Sequence, residues 1–148
     1  MAATTAMCTS FKSELLQAIH NFLLTGGDAF KLALIKVGMA GTYGAASTNY
    51  SDITGNSDEA SGTGYSAGGG ALTRVDPAIS GTTAYTDFAD LVFSTATISA
   101  VACMIYNSTD SNKVCSVHDF AGTKTATAGD FTIQFPAADA SNAILRLA

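Results

Sequence analysis

Short apolar runs, separated by Gly, Ser, Thr, Asn and Asp, follow one another from residue 30 to the end of the chain. In the runs 30–34 and 131–135, large apolar side chains recur at every second position. This period places them on one face of a strand, which covers a core while the other face meets water or a partner. The pattern predicts seven strands, near 29–37, 64–74, 83–93, 97–107, 113–120, 130–135 and 142–147.

Several short strands at fairly even spacing are typical of an antiparallel β-sandwich or barrel. The polar stretch 107–112 predicts the turn of a hairpin between two of them. Pro77 and Pro136 fall at strand margins, where a missing N–H does least harm. We therefore predict a mainly β chain that forms a single domain over residues 1–148, with the sandwich spanning 29–148.

One helix is predicted before the strands, over residues 11–24. Thr9 or Ser10 is suited to cap its start, and Gly26 and Gly27 are suited to stop it. At a period of 3.6, its apolar side consists of Phe11, Leu15, Leu16, Ile19 and Phe22.

The stretch 41–70 differs from the rest, since it carries eight glycines among Ser, Thr, Asn and Asp. A connection of this length inside a compact domain is usually functional or mobile. Two interpretations stay open: an arm that reaches a neighbouring subunit, or a flexible surface loop.

The chain contains few charged residues. Charged residues make up 13% of the 148 residues, whereas an ordinary domain has about 25%. A surface with so little charge favours a subunit in contact with neighbours, and we expect a homo-oligomer, either a dimer or a trimer.

Charge and hydropathy also exclude two classes of partner. The net charge is −5, and the seven Lys and Arg residues are scattered singly, which argues against nucleic acid. No apolar run approaches the roughly 20 residues that span a bilayer, and the amino terminus has no signal-peptide pattern. We expect a soluble protein that is made in a cytoplasm.

Three cysteines are present, so they cannot all pair. Cys103 and Cys115 fall on consecutive predicted strands, and a cross-strand disulfide between them is one interpretation. The odd count and the lack of C-x-x-C spacing favour the other, in which Cys8, Cys103 and Cys115 are reduced, buried thiols.

Two sequence motifs match known catalytic or nucleotide-binding patterns but lack the strands and helices that those patterns require. Residues 64–68 match G-x-S-x-G, in which Ser66 would be a nucleophile, yet no helix can start at the three glycines that follow. Residues 62–67 match a dinucleotide fingerprint without the strand before it or the helix after it. We interpret both as glycine-permitted bends.

The histidines and acidic residues give no stronger signal. Zinc needs more ligands than His20 and the pair Cys115 and His118 supply, and His20 is expected to pack or cap. Asp52, Asp58 and Glu59 do not follow the EF-hand pattern and are interpreted as a solvated acidic loop.

A paired-carboxylate glycosidase is the remaining enzyme hypothesis, with Asp87 and Asp90 as its carboxylates. Nothing in the sequence places them across a cleft, and the chain has no Trp for sugar stacking. We predict no catalytic residue, no cofactor and no metal.

The order of segments resembles a family of small virion proteins of tailed bacteriophages, encoded beside head genes, of the capsid decoration or cement type. The final block is its most specific part, since Phe135 and Pro136 precede Ala-Ala-Asp-Ala-Ser-Asn-Ala-Ile. The resemblance extends over residues 11–12, 15–16, 20–22, 30–34, 61–69, 86–90, 105–107, 119–120 and 129–144.

This resemblance implies a jelly-roll-like sandwich without catalytic residues. It implies a structural protein on the exterior of the capsid, assembled in the host cytoplasm, that binds the major capsid protein and holds adjacent capsomers together. A tail- or fibre-associated structural protein and a carbohydrate-binding β-sandwich module remain the alternatives.

Overall fold

The computed structural model describes all residues from Met1 to Ala148. Strands contain 49% of the residues and helices 9%, which confirms the mainly β prediction. The helices are α1 (Thr9–Leu16) and α2 (Ser51–Gly55). The strands are β1 (Ala2–Ala3), β2 (Ala6–Met7), β3 (Phe30–Lys36), β4 (Thr42–Tyr43), β5 (Gly70–Leu72), β6 (Arg74–Ser80), β7 (Thr83–Phe88), β8 (Leu91–Asn107), β9 (Lys113–Ile133) and β10 (Leu145–Leu147).

Two antiparallel sheets carry the fold. The larger has five strands in the order β2-β9-β8-β3-β5, and the smaller has three in the order β10-β7-β6. A parallel pair, β1 and β4, stands apart. The antiparallel, sandwich-like arrangement agrees with the prediction. Jelly-roll connectivity is not confirmed, because β6–β7 and β8–β9 are hairpins within single sheets.

The register of β3 against β8 defines two faces of the five-stranded sheet. Phe30, Leu32 and Leu34 lie opposite Asn107, Ile105 and Cys103 on one face, which we name the phenylalanine face. The intervening residues lie on the other side, which we name the tyrosine face; these are Lys31, Ala33 and Ile35 with Tyr106, Met104 and Ala102.

Aromatic side chains cover the phenylalanine face. Phe22 stacks on Phe30 with ring centroids 4.5 Å apart, and Phe88 of β7 approaches Phe30 at 5.7 Å. Phe11 of α1 meets Phe22 edge to face at 6.1 Å. These contacts join the helix and the three-stranded sheet to the larger sheet in one core cluster of 28 buried residues.

The stretch 41–70 covers the tyrosine face. Tyr43 and Ile53 are buried, and Tyr50 stacks on Tyr106 with ring centroids 4.6 Å apart. The prediction that the second face of β3 meets water or a partner is therefore wrong. Both faces are covered, and this explains why 32–35 and 102–106 are continuously buried.

The strand boundaries differ from the predicted ones where a bulge or turn intervenes. The predicted strands 113–120 and 130–135 form one strand, β9, because the bulge near Ala121 does not end the pairing. The predicted strand 83–93 is divided between β7 and β8, and 64–74 shrinks to β5. The strand β6 was not predicted. Pro77 lies in its middle and not at the predicted strand margin, and it is tolerated there because β6 is an edge strand with a register shift at this point. The hairpin turn at 107–112 is confirmed.

The predicted helix 11–24 is too long. The helix α1 begins at Thr9, its N-cap residue is Cys8 rather than Thr9 or Ser10, and it ends at Leu16. Ala18 adopts a φ of 57°, which turns the chain out of the helix. Leaving the helix allows His20 and Phe22 to pack beside Phe30, and this burial outweighs the local helical pattern.

Candidate interaction surface

The G-x-S-x-G motif does not form a nucleophile and base pair. Ser66 is exposed in the turn of 66–69, and this turn lies over the tyrosine face, where the Tyr106 hydroxyl donates to the Gly68 carbonyl at 2.6 Å. His118 lies opposite Cys103 on the phenylalanine face. Ser66 and His118 are therefore on opposite sides of the five-stranded sheet.

The fingerprint at 62–67 is also a bend, as predicted. The backbone of Gly62 and Gly64 runs against Thr97 and Ala96 of β8, and Thr63 forms an isolated bridge with Thr97. No helix follows, so no helix terminus is available for a pyrophosphate.

The histidines serve internal hydrogen bonds. His118 pairs with Ser116 at 2.9 Å, and burial lowers the pKa of His118. His20 packs on Phe11 with ring centroids 4.7 Å apart, so the prediction that it packs is confirmed, although it lies beyond the helix. Nowhere do three or more His, Cys, Asp or Glu residues come together in a group that could hold a metal ion.

A buried polar cluster that the sequence did not predict surrounds His20. Asn107 Nδ2 donates to His20 Nδ1 at 3.0 Å, so His20 carries its proton on Nε2 and donates it to Glu14 at 2.9 Å. Lys113 also donates to Glu14, at 3.0 Å. Burial alone would raise the pKa of Glu14, but the hydrogen bonds from His20 and Lys113 lower it below its ordinary value. The cluster ties α1 to the β8–β9 turn.

The prediction that the acidic residues of 41–70 form a solvated loop is wrong. Asp58 is fully buried, and its carboxylate accepts from the Tyr43 hydroxyl and from the Ala40 and Gly41 amides. Glu59 accepts from the Tyr50 and Tyr65 hydroxyls and the Gly68 amide, and Asp52 accepts from two amides before α2. These carboxylates hold the segment in place.

The carboxylates of the glycosidase hypothesis are likewise structural. Asp87 is fully buried, accepts from the Phe88 and Ile144 amides at 2.8 and 3.2 Å, and has a pKa raised by its burial. Asp90 accepts from the Phe135 amide at 2.8 Å. Both fasten the carboxyl-terminal segment 135–144, and neither faces the other across a cleft.

All three cysteines are free and buried, as the second interpretation predicted. Cys103 lies opposite His118, three residues from Cys115 along β9. A Cys103–Cys115 disulfide does not fit this register.

The glycines of 41–70 allow close packing, which corrects the picture of an arm or a flexible loop. A Cβ on Gly69 would lie 1.8 Å from the Leu32 carbonyl oxygen, and one on Gly62 would lie 2.2 Å from the Thr97 carbonyl oxygen. Only glycine permits the backbone to approach β3 and β8 this closely. The segment is therefore packed on the sheet and is not a free arm or a flexible loop.

An exposed apolar row crosses the three-stranded sheet. Ile79 of β6 and Leu147 of β10 both lie opposite Ala84 of β7, so the three side chains share one face. Ile79 is 78% exposed and Leu147 is 56% exposed. We name these three residues the edge row. Its flanking strands, β6 and β10, are the outermost strands of the sheet, where another protein can approach.

A second exposed surface is the end of the β8–β9 hairpin away from its turn, residues 91–99 and 124–133, which we name the distal ribbon. It carries Thr, Ala and Gly with few charges. Beside it lies an open concavity of about 400 Å³, lined by Phe120, Phe131 and Ile133 together with Lys124, Asp130 and Gln134.

Neither helix of the structure has the length or the apolar character needed to cross a membrane. The chain offers two weakly charged β surfaces and no assembled reaction centre among the residues that the sequence singled out. In comparisons with known proteins, it matches no protein-family model, no curated protein and no solved structure.

Proposed function

We propose that this protein is a structural subunit of a tailed-phage particle that binds the outer surface of the head and stabilises the capsid lattice. The observation that carries the proposal is the edge row, an exposed apolar strip on a sheet with two open edges. The sequence resemblance to decoration proteins supports the same role.

The physical mechanism is linkage. A protein that binds the assembled shell, and not the separated capsomers, adds its binding free energy to the stability of the shell. Each contact can be weak, because many copies act on one closed lattice. The partners are the major capsid protein and other copies of this chain, which associate as a dimer or trimer. Sedimentation velocity at micromolar concentration measures that association directly.

The edge row makes a matched pair of variants possible. We expect Ile79→Lys to weaken binding to heads at least tenfold, because a charged side chain would be desolvated in the contact. Leu16→Lys is the control, since Leu16 is 91% exposed and lies on α1, outside the three-stranded sheet. Both variants should unfold within about 0.5 kcal/mol of the wild type, as exposed positions usually do. Equal head binding by the two variants would remove the edge row from the proposal.

The decisive experiment compares heads with and without the protein. Heads that lack it should release DNA at a lower temperature, and added purified protein should restore the wild-type release temperature. The measurement is DNA release during a temperature ramp, followed by a dye that cannot enter intact heads. Unchanged release, or binding of labelled protein to tails alone, would contradict the proposal.

One observation favours the carbohydrate-binding alternative, namely the concavity beside the distal ribbon. Phe120 and Phe131 lie 6.4 Å apart there, with polar side chains at hand, and sugars bind to such mixed surfaces. Glycan binding by the free monomer, with no affinity for heads, would support this alternative instead.

A further inference from the structure

The pairing of β2 with β9 brings the backbones of two cysteines, Cys8 and Cys115, close together. Its register places Ala6 opposite Val117 and Met7 opposite Ser116, and Cys8 is the next residue, between β2 and α1. The Cys8 amide donates to the Cys115 carbonyl at 2.9 Å, which continues the ladder to this pair.

Residues of adjacent strands that are joined by such a backbone hydrogen bond have Cα atoms about 5.5 Å apart, although the Cys8 thiol itself donates to the Gly44 carbonyl at 3.4 Å. Disulfides bridge Cα atoms about 4.4 to 6.8 Å apart, so this pairing suits a bond without a large backbone shift. The third cysteine, Cys103 of β8, has a different neighbour, because it lies opposite His118 of β9.

We propose that Cys8 and Cys115 are a disulfide-forming site that cross-links the junction of β2 and α1 to β9 when a low-molecular-weight disulfide is present. With oxidised glutathione, the Cys8 thiolate attacks one sulfur and displaces a glutathione thiolate. The Cys115 thiolate then attacks the Cys8 sulfur and displaces the second glutathione. Two protein thiols are oxidised, one glutathione disulfide is reduced to two thiols, and the two protons pass to the leaving thiolates.

The surroundings decide the rate of this reaction. Both thiols are buried, and burial raises the pKa of Cys8 to about 12 and that of Cys115 well above its ordinary value. Few thiolates exist in the closed structure, so the reaction requires β2 to open. Because β2 pairs through only two residues, opening should be far easier than unfolding the whole chain.

The cross-link has a measurable effect on stability. It closes a loop of roughly a hundred residues, and the loss of chain entropy in the unfolded state should raise Tm on the order of 10 °C. The inference rests on the strand register and does not depend on the proposed function.

The test incubates the full chain with oxidised glutathione and maps disulfides by mass spectrometry after alkylation of free thiols. We expect one intramolecular bond between Cys8 and Cys115 in the wild type and in Cys103→Ser, and none in Cys8→Ser. The Tm of the oxidised wild type should exceed that of the reduced protein, whereas Cys8→Ser should show no such rise.

A bond between Cys103 and either other cysteine, stable glutathione adducts without a protein disulfide, or no oxidation at all would overturn the proposal. If Cys8→Ser does not fold, the mapped bond in the wild type and the comparison with Cys103→Ser still decide between these outcomes.

Discussion

Replacing Gly69 with alanine is expected to destabilise the protein by more than about 4 kcal/mol, a loss that only severe core disruptions produce. The added Cβ would lie 1.8 Å from the Leu32 carbonyl oxygen of β3, an inner strand of the five-stranded sheet. Gly69 also has a φ of 76°, which costs other residues about 1 to 2 kcal/mol. The segment 41–70 would have to leave the tyrosine face or displace β3. Urea unfolding, followed by tyrosine fluorescence, measures the loss.

Two other glycines separate the steric effect from the backbone effect. Gly38 has a φ of 72° with open space around it, so Gly38→Ala should cost only about 1 kcal/mol. Gly55 has open space and no positive φ, and Gly55→Ala at the end of α2 should leave stability unchanged or slightly raised. If Gly69→Ala cost no more than Gly38→Ala, the docking of 41–70 on β3 would be refuted.

Removing the charge of Asp58 is expected to cost about 3 kcal/mol at neutral pH. Asp58→Asn replaces an acceptor oxygen with an amide group in a fully buried site that presents donors from Tyr43, Ala40 and Gly41. It also removes the partner of Lys36, whose Nζ lies 3.3 Å from the carboxylate. The carboxylate that joins Asp58 to the chain between residues 36 and 43 would be lost. The measurement is the free energy of unfolding from urea titrations.

The same site predicts a dependence on acid. Burial alone would raise the pKa of Asp58, but hydrogen bonds from Tyr43, Ala40, Gly41 and Lys36 lower it to about 2. The unfolded carboxyl has a pKa near 3.9, so the unfolded state binds the proton first as the pH falls. The contribution, about 2 kcal/mol, is present above pH 4 and is lost between about pH 4 and pH 2.

In Asp58→Asn this part of the acid dependence should vanish, so the wild type and the variant converge in stability as the pH approaches 2. Lys36→Met is the control, because it removes a partly exposed cation and leaves the three hydrogen bonds. It should cost about 1 kcal/mol or less and keep most of the acid dependence. Parallel pH profiles for the wild type and Asp58→Asn would contradict the assignment.

The local pattern of the chain was enough to determine the β class, the hairpin turn at 107–112 and the presence of the strands β3 and β8. These features are local, because the alternation of apolar side chains and the residues of a turn are both visible within a few positions of the sequence. The same pattern also led to errors. It extended the helix to residue 24 and took the glycines of 41–70 for freedom of movement, because neither burial nor close approach is visible in a local window.

Tertiary contacts decided the rest. The cover on the second face of β3 depends on the tyrosines of 41–70, and the end of α1 depends on a cluster in which His20 and Asn107 are 87 positions apart. The hydrogen bond between the Cys8 amide and the Cys115 carbonyl follows from where β2 docks on β9, far along the chain. The sequence contains these residues, but their distances are set by the packing free energy of the whole core, which no short segment specifies.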